Sequence, residues 1–128
     1  MILGTDGNYY GTTTFAGTSF GAVFKVTPDG TETILHAFAG FPTDGGVPVA
    51  GLVQATAEIL YGSTEQGGPN NPGKRVSGCG TIFSIKPNGT TATLYSFGSA
   101  ADEWYYVNGC NPTEKLLQGE DGTFYGTT

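Results

Sequence analysis

The amino-acid sequence predicts an all-β fold made of repeated four-stranded antiparallel units, and three observations support this prediction. Gly makes up 22 of the 128 residues, well above the usual ~7%, which is typical of short strands joined by tight turns. Apolar and polar residues alternate along short stretches such as "FKVT", which is the period of a strand. The segment "GTDGNYYGTT" at residues 4–13 returns almost unchanged as "GEDGTFYGTT" at residues 119–128.

Further pairs of similar segments establish a tandem repeat. "GAVFKVTPDGT", which starts at Gly21, is echoed by "GTIFSIKPNGT", which starts at Gly80. "TILHAF" is likewise echoed by "ATLYSF", and "PVAGLVQ" by "PTEKLLQ". We therefore treat the chain as a single unit, residues 1–128, with a first repeat at about 1–50, a second at about 51–114 and the start of a third at 115–128.

Each repeat is expected to contain four strands, A to D. Strand A is "GLVQ", strand B is "YYGTT" or "LYGST", strand C is "AVFKVT" or "TIFSIK", and strand D is "TETILHAF" or "TATLYSF". Asp-Gly supplies the A–B hairpin turn at residues 6–7 and 121–122, and Glu58 replaces this Asp in the second repeat. Pro-Asp-Gly or Pro-Asn-Gly supplies the C–D turn. Because only residues 1–3 precede the first A–B turn, the sequence predicts that the first repeat lacks a proper strand A.

Four strands in about 50 residues is the period of a β-propeller blade. A β-sandwich would use strands of similar length, but a sandwich does not require two near-copies in tandem. The repeat therefore favours propeller-like four-stranded antiparallel blades, two in each chain.

The motifs "DGNYYGTT", "VFKVTPDGT", "LHAF" and "AGLVQ" together resemble the GloVer tandem repeat of bacterial, mostly exported choice-of-anchor proteins. The resemblance covers essentially the whole chain. It implies a propeller-like protein with many repeats, exported or at the cell surface, and it supplies no catalytic residues. Having two repeats and no signal peptide after Met1, this chain resembles a fragment of such a protein.

Blades bury their apolar faces against neighbouring blades, so two blades leave two apolar flanks uncovered. We expect identical chains to cover these flanks by associating head to tail in a closed homo-oligomeric ring. A trimer, with six blades, is favoured over a tetramer, with eight. In this arrangement, residues 115–118 would supply the strand A that the next chain's first blade lacks.

Charge and hydrophobicity argue against two classes of partner. The chain has 5 Lys plus Arg against 11 Asp plus Glu, a net charge of −6, whereas nucleic acids and anionic membranes are bound by clustered basic residues. No apolar run approaches the ~20 residues that span a bilayer.

The two cysteines, Cys79 and Cys110, are each assigned to one of two insertions that lengthen the second repeat. This placement predicts a disulfide that clamps two long loops. Two free thiols are the alternative, whereas a metal site would need further Cys or His ligands nearby. The only histidine, His36, is interpreted as a packing or edge residue of strand D.

One stretch of the second repeat is not explained by the fold, because acids and aromatics follow one another within an insertion. Exposed aromatics stack on sugar rings while neighbouring acids take the hydroxyls, so this stretch is the candidate ligand site. Packing beside the disulfide, or a subunit contact, is the alternative. The residues are Asp102, Glu103, Trp104, Tyr105 and Tyr106.

Two functions remain open from the sequence. The first is a non-catalytic, self-assembling repeat module that binds carbohydrate or another small ligand. The second is a hydrolase of phosphate, sulfate or glycoside esters whose site forms between chains, where symmetry-related carboxylates could hold a divalent cation such as Ca²⁺. No cofactor motif is present.

Overall fold

The computed structural model describes residues 1–15, 20–56, 58–70, 77–98, 100–102, 105–106 and 108–128. In this part of the chain all regular structure is β, without a helix, which confirms the prediction that the fold is all-β. The strands are β1 (Ile2–Leu3), β2 (Tyr9–Thr13), β3 (Ala22–Val26), β4 (Glu32–Ala37), β5 (Gly45–Gly46), β6 (Val53–Thr56), β7 (Ile59–Thr64), β8 (Gln66–Gly67), β9 (Thr81–Ile85), β10 (Thr91–Ser96), β11 (Ala100–Asp102), β12 (Tyr105–Tyr106), β13 (Leu117–Gln118) and β14 (Phe124–Tyr125).

Each repeat forms one four-stranded antiparallel sheet. Sheet 1 has the order β1-β2-β3-β4, and sheet 2 has the order β6-β7-β9-β10, so both follow the predicted order A to D. The prediction that the first repeat lacks strand A is wrong, because Ile2–Leu3 pairs with β2 in that position. Two residues are enough to form this strand because the A–B turn places β2 antiparallel beside them.

The start of the third repeat folds as the first two do. Strands β13 and β14 pair as an antiparallel hairpin, which we call the C-terminal hairpin. The A–B pairing has the same register in all three copies, and its first residue pair is Ile2↔Tyr10, Val53↔Tyr61 and Leu117↔Tyr125.

The Gly of the "YGTT" and "YGST" motifs has a packing role. Gly62 on β7 lies opposite Phe83 on β9, and a Cβ at Gly62 would lie 2.6 Å from that ring. Gly11 and Phe24 make the same pair in sheet 1. The missing side chain lets the ring lie over the neighbouring strand, as in the aromatic rescue of a strand glycine.

The core lies between the two sheets. The Phe38 and Phe83 rings meet edge to face with their centroids 5.2 Å apart, so an aromatic contact joins the residue that follows β4 to the middle of β9. Ile2 and Leu35 pack around the edge of this cluster. Its buried members are Tyr10, Val23 and Phe38 from the first repeat and Leu52, Leu60, Phe83 and Ile85 from the second.

Two short strand pairs were not predicted from the sequence. Strand β5 pairs with β8, which ties the loop after sheet 1 to a loop of sheet 2. Strand β11 pairs with β12 within the second repeat. Neither pair shows a period-two pattern, because each strand has only two or three residues.

Candidate functional site

At the junction between the first and second repeats, a glycine lies against two buried threonines. Gly45 of β5 lies against the side chains of Thr64 and Thr81, and a Cβ there would lie 2.7 Å from Thr64 Cγ2 and 2.8 Å from Thr81 Oγ1. The two threonine hydroxyls are buried and hydrogen-bonded to each other at 2.8 Å. This close approach requires glycine at residue 45.

The same junction recurs between the second repeat and the C-terminal hairpin. Gly109 stands where Gly45 stands, and the residue against it is Thr128, the counterpart of Thr64 in the "YGTT" motif. The Phe124 ring packs on Tyr61 with a centroid distance of 4.5 Å. The contact between repeats is therefore a repeated feature with equivalent residues.

An imidazole and a carboxylate meet at the first junction. His36 Nε2 donates a hydrogen bond of 2.8 Å to Asp44 Oδ2. Asp44 also accepts hydrogen bonds from the backbone N–H groups of Ala39 and Gly45. Burial disfavours the carboxylate, but the hydrogen bonds from His36, Ala39 and Gly45 outweigh it and hold the pKa of Asp44 below its usual value.

An uncharged version of this pair occurs in the second repeat. Tyr95 replaces His36 at the equivalent place on the outer strand, and Asn108 contacts its hydroxyl. Asn108 Oδ1 accepts a hydrogen bond from Gly98 N–H at 3.0 Å, as Asp44 does from Ala39. A carboxylate that orients an imidazole is a catalytic arrangement in some enzymes. Since Tyr and Asn can replace the pair here, a structural role at the junction explains both.

Sequence reasoning interpreted His36 correctly as a packing residue, because its ring meets Phe38 edge to face, but it did not identify the partner Asp44. The correspondence between Asp44 and its counterpart in the second repeat was obscured by the five-residue insertion there. The two segments can be aligned on their final prolines, Pro48 of "FPTDGGVP" and Pro112 of "NGCNP". Counting backwards from these prolines matches Asp44 with Asn108.

Cys79 and Cys110 form the predicted disulfide, with their Cα atoms 4.6 Å apart. Both have counterparts in the first repeat, however, so they lie at the edges of the insertions. Cys79 precedes Gly80 as Phe20 precedes Gly21, and the carbonyls of Cys79 and Phe20 accept equivalent hydrogen bonds from Asn111 and Val47. The disulfide thus replaces the contact that the Phe20 ring makes with Gly46.

The A–B turn carries a second polar pair. Tyr10 OH donates a hydrogen bond of 2.6 Å to Asp6 Oδ2. Burial, together with this bond to a carboxylate, raises the pKa of Tyr10 to about 12. The bond from Tyr10, followed by the bonds from Asn8, lowers the pKa of Asp6. In the C-terminal hairpin the Asp121 carboxylate accepts hydrogen bonds from the backbone N–H and the hydroxyl of Thr123 in the same way. Formation of the turn therefore accounts for both carboxylates.

The candidate ligand site falls partly outside the described residues. Glu103 and Trp104 lie outside them, whereas Asp102, Tyr105 and Tyr106 belong by their backbone to the β11–β12 hairpin. Asp102 and Tyr105 are paired across this hairpin. The hairpin lies in the connection from strand D of the second repeat to the third repeat, between Phe97 and the disulfide.

The described residues contain no group of three or more His, Cys, Asp or Glu side chains that could hold a metal ion. A surface hollow of about 310 Å³ is lined by Glu58, Lys86, Pro87 and Asn88, beside the turns of sheet 2. It offers one charge of each sign. In the described part of the chain, no helix is long and apolar enough to cross a membrane.

No family model, curated protein sequence or solved structure matches this chain.

Proposed function

We propose that this chain is a non-catalytic module of tandem, propeller-like β blades that works by assembling with further blades and presenting a ligand site. The observation that carries the proposal is the repeated junction. Gly45 against Thr64 and Gly109 against Thr128 are contacts at equivalent positions of the repeat, one for each successive pair of repeats. Repeats that contact only their neighbours in a constant way are typical of extendable assemblies.

The proposal extends to self-association of the chain in a closed ring, with a trimer of six blades favoured. Native mass spectrometry and sedimentation of the 128-residue chain over a range of concentrations test this part directly. The expected result is a single closed oligomer, and three chains would correspond to six blades. A monomer at every concentration would contradict self-assembly.

The ligand proposed for the module is a carbohydrate, bound by the stretch from Asp102 to Tyr106. Its support is the sequence of two acids followed by three aromatics, which suits stacking on a sugar ring. Binding to a glycan array, compared between the wild type and Trp104→Ala, tests it. Loss of binding in the variant with an unchanged oligomer supports the ligand role, whereas an altered oligomer would assign Trp104 to a subunit contact.

Turnover assays address the alternative hydrolase. Generic phosphate, sulfate and glycoside esters are offered with Ca²⁺ and with EDTA. The non-catalytic proposal expects no turnover in either condition, and turnover that EDTA abolishes would replace it with a metal-assisted hydrolase.

A further inference from the structure

The two faces of sheet 1 differ in what covers them. One face carries Tyr10 and Val23, which are fully buried against sheet 2. The opposite face carries Leu3, Tyr9 and Ile34, whose side chains are 62%, 41% and 49% exposed. We call these three residues the open face. Residues paired across strands lie on the same side of a sheet, so Leu3 lies with its partner Tyr9. Gly11, two residues after Tyr9, is paired with Phe24, and Phe24 is paired with Ile34, which places Ile34 on the same side.

The equivalent face of the other repeats is a contact face. Tyr9 of the open face corresponds to Leu60 in sheet 2 and to Phe124 in the C-terminal hairpin, because all three precede the Tyr-Gly of the repeated motif. Leu60 is fully buried against sheet 1. Phe124 packs on Tyr61 of sheet 2. Sheets in this chain therefore receive the preceding repeat on this face.

The complementary face is also exposed in the same chain. Tyr125 and Leu117 of the C-terminal hairpin correspond to Tyr10 and Ile2, which pack into the core between sheets 1 and 2. Tyr125 is 55% exposed and Leu117 is 69% exposed. The chain thus displays both halves of a contact that it makes internally.

We infer that the open face of one chain is the docking site for the Leu117–Tyr125 face of a second copy of this chain. The inference rests on the proposed self-assembly and identifies the faces that meet. The ring of Tyr125 would lie on Tyr9 of the next copy, as the ring of Tyr61 lies on Phe124. Stacking requires no exchange of strands, since β1 and β13 each already pair within their own hairpin.

The contact joins two different surfaces, so it is heterologous and propagates head to tail. This property distinguishes it from a contact of the open face with itself. A charge on either surface prevents copies of that variant from associating with one another. If one variant is charged on the open face and another on the Leu117–Tyr125 face, a mixture of the two still has one unmodified open face and one unmodified Leu117–Tyr125 face, and these two can meet.

The test compares sedimentation of the intact chain with three variants, each checked for an unchanged far-UV circular dichroism spectrum. Ile34→Lys places a charge on the open face, and Tyr125→Glu places one on the opposite surface. Leu94→Lys is the matched control, because Leu94 is similarly exposed, at 53%, and lies at the bulge of the outer strand of sheet 2.

The expected result is at least a tenfold weaker association for Ile34→Lys and for Tyr125→Glu, no change for Leu94→Lys, and renewed association when the first two are mixed. If the wild type associates and the two face variants associate equally well, the assignment of faces is overturned while self-assembly stands. If Leu94→Lys is as weak as Ile34→Lys, or if mixing restores nothing, the assignment is also overturned. A wild type that is monomeric throughout overturns both proposals.

Discussion

Replacing Asp44 by Ala should loosen the junction between the two repeats. The carboxylate receives hydrogen bonds from His36 Nε2 at 2.8 Å, from Ala39 N–H at 3.1 Å and from Gly45 N–H at 2.7 Å. The carbonyl of Asp44 also accepts a hydrogen bond from Gly68 N–H at 2.7 Å, so this residue connects strand D of the first repeat with a loop of the second. The variant removes the side-chain part of that connection.

The size of the effect follows from these three side-chain bonds. A hydrogen bond to a charged group contributes roughly 1.5–3 kcal/mol net when it is buried. The Asp44 side chain is 21% exposed, and solvent screening reduces the contribution of each bond below that range. We therefore expect a loss of about 2 kcal/mol in the free energy of unfolding. For a chain of this length, such a loss lowers the thermal midpoint by roughly 5–10 °C.

The second repeat provides the matched comparison. The double variant His36→Tyr with Asp44→Asn transfers the Tyr95–Asn108 pair to the first junction, and it should lose less than about 1 kcal/mol because the amide restores a donor and an acceptor. Glu32→Ala, which removes an exposed carboxylate from the edge strand, should stay within about 0.5 kcal/mol of the wild type.

Urea unfolding followed by circular dichroism at pH 7 measures all of these differences. If Asp44→Ala is as stable as Glu32→Ala, the three hydrogen bonds contribute nothing to stability, which would refute their role at the junction. If the double variant is as unstable as Asp44→Ala, the pairs in the two repeats are not equivalent.

Three further predictions concern single features of the fold. Thiol titration of the unfolded, unreduced protein should find no free thiol, and reduction of Cys79–Cys110 should lower the free energy of unfolding by about 3–4 kcal/mol, as expected for a loop of this length. Gly62→Ala should cost about 1–3 kcal/mol in urea unfolding, because its Cβ would lie 2.6 Å from the buried Phe83 ring; an unchanged midpoint would contradict the packing role of this glycine. The lowered pKa of Asp6 means that its ionised form stabilises the fold above the unfolded-state pKa of about 4. That stabilisation is lost as the pH falls through the lowered pKa, so the stability difference between wild type and Asp6→Asn should shrink as the pH falls. A difference that does not change with pH would oppose this assignment.

The parts of the fold that could be predicted from the sequence are those that repeat. The repeated sequence pattern predicted β2, β3 and β4 and their counterparts β7, β9 and β10, because each has at least five residues. The Asp-Gly and Pro-Asp-Gly turns were also identified, since only a few residue types suit their backbone geometry. The register of the A–B pairs in the first repeat and in the C-terminal hairpin follows from the Asp-Gly turns.

The parts that could not be predicted depend on contacts between distant residues. The His36–Asp44 pair forms only because strand D and the loop after it fold back on each other, and neither residue carries a local signal for the other. The β5–β8 pair depends on two glycine-rich segments of different repeats meeting at the junction. Strand A of the first repeat was missed because a two-residue strand has no period to detect.

The disulfide and Phe20 show how one position can be stabilised in two ways. In the first repeat the Phe20 ring covers Gly40 and Gly46, which have no side chains to oppose it. The equivalent connection in the second repeat is five residues longer, and closing a longer loop costs more conformational entropy. A covalent link between Cys79 and Cys110 holds the loop independently of the shape of the insertion. The second repeat can therefore carry the β11–β12 hairpin and its aromatic residues and still close a connection that the first repeat closes without a covalent link.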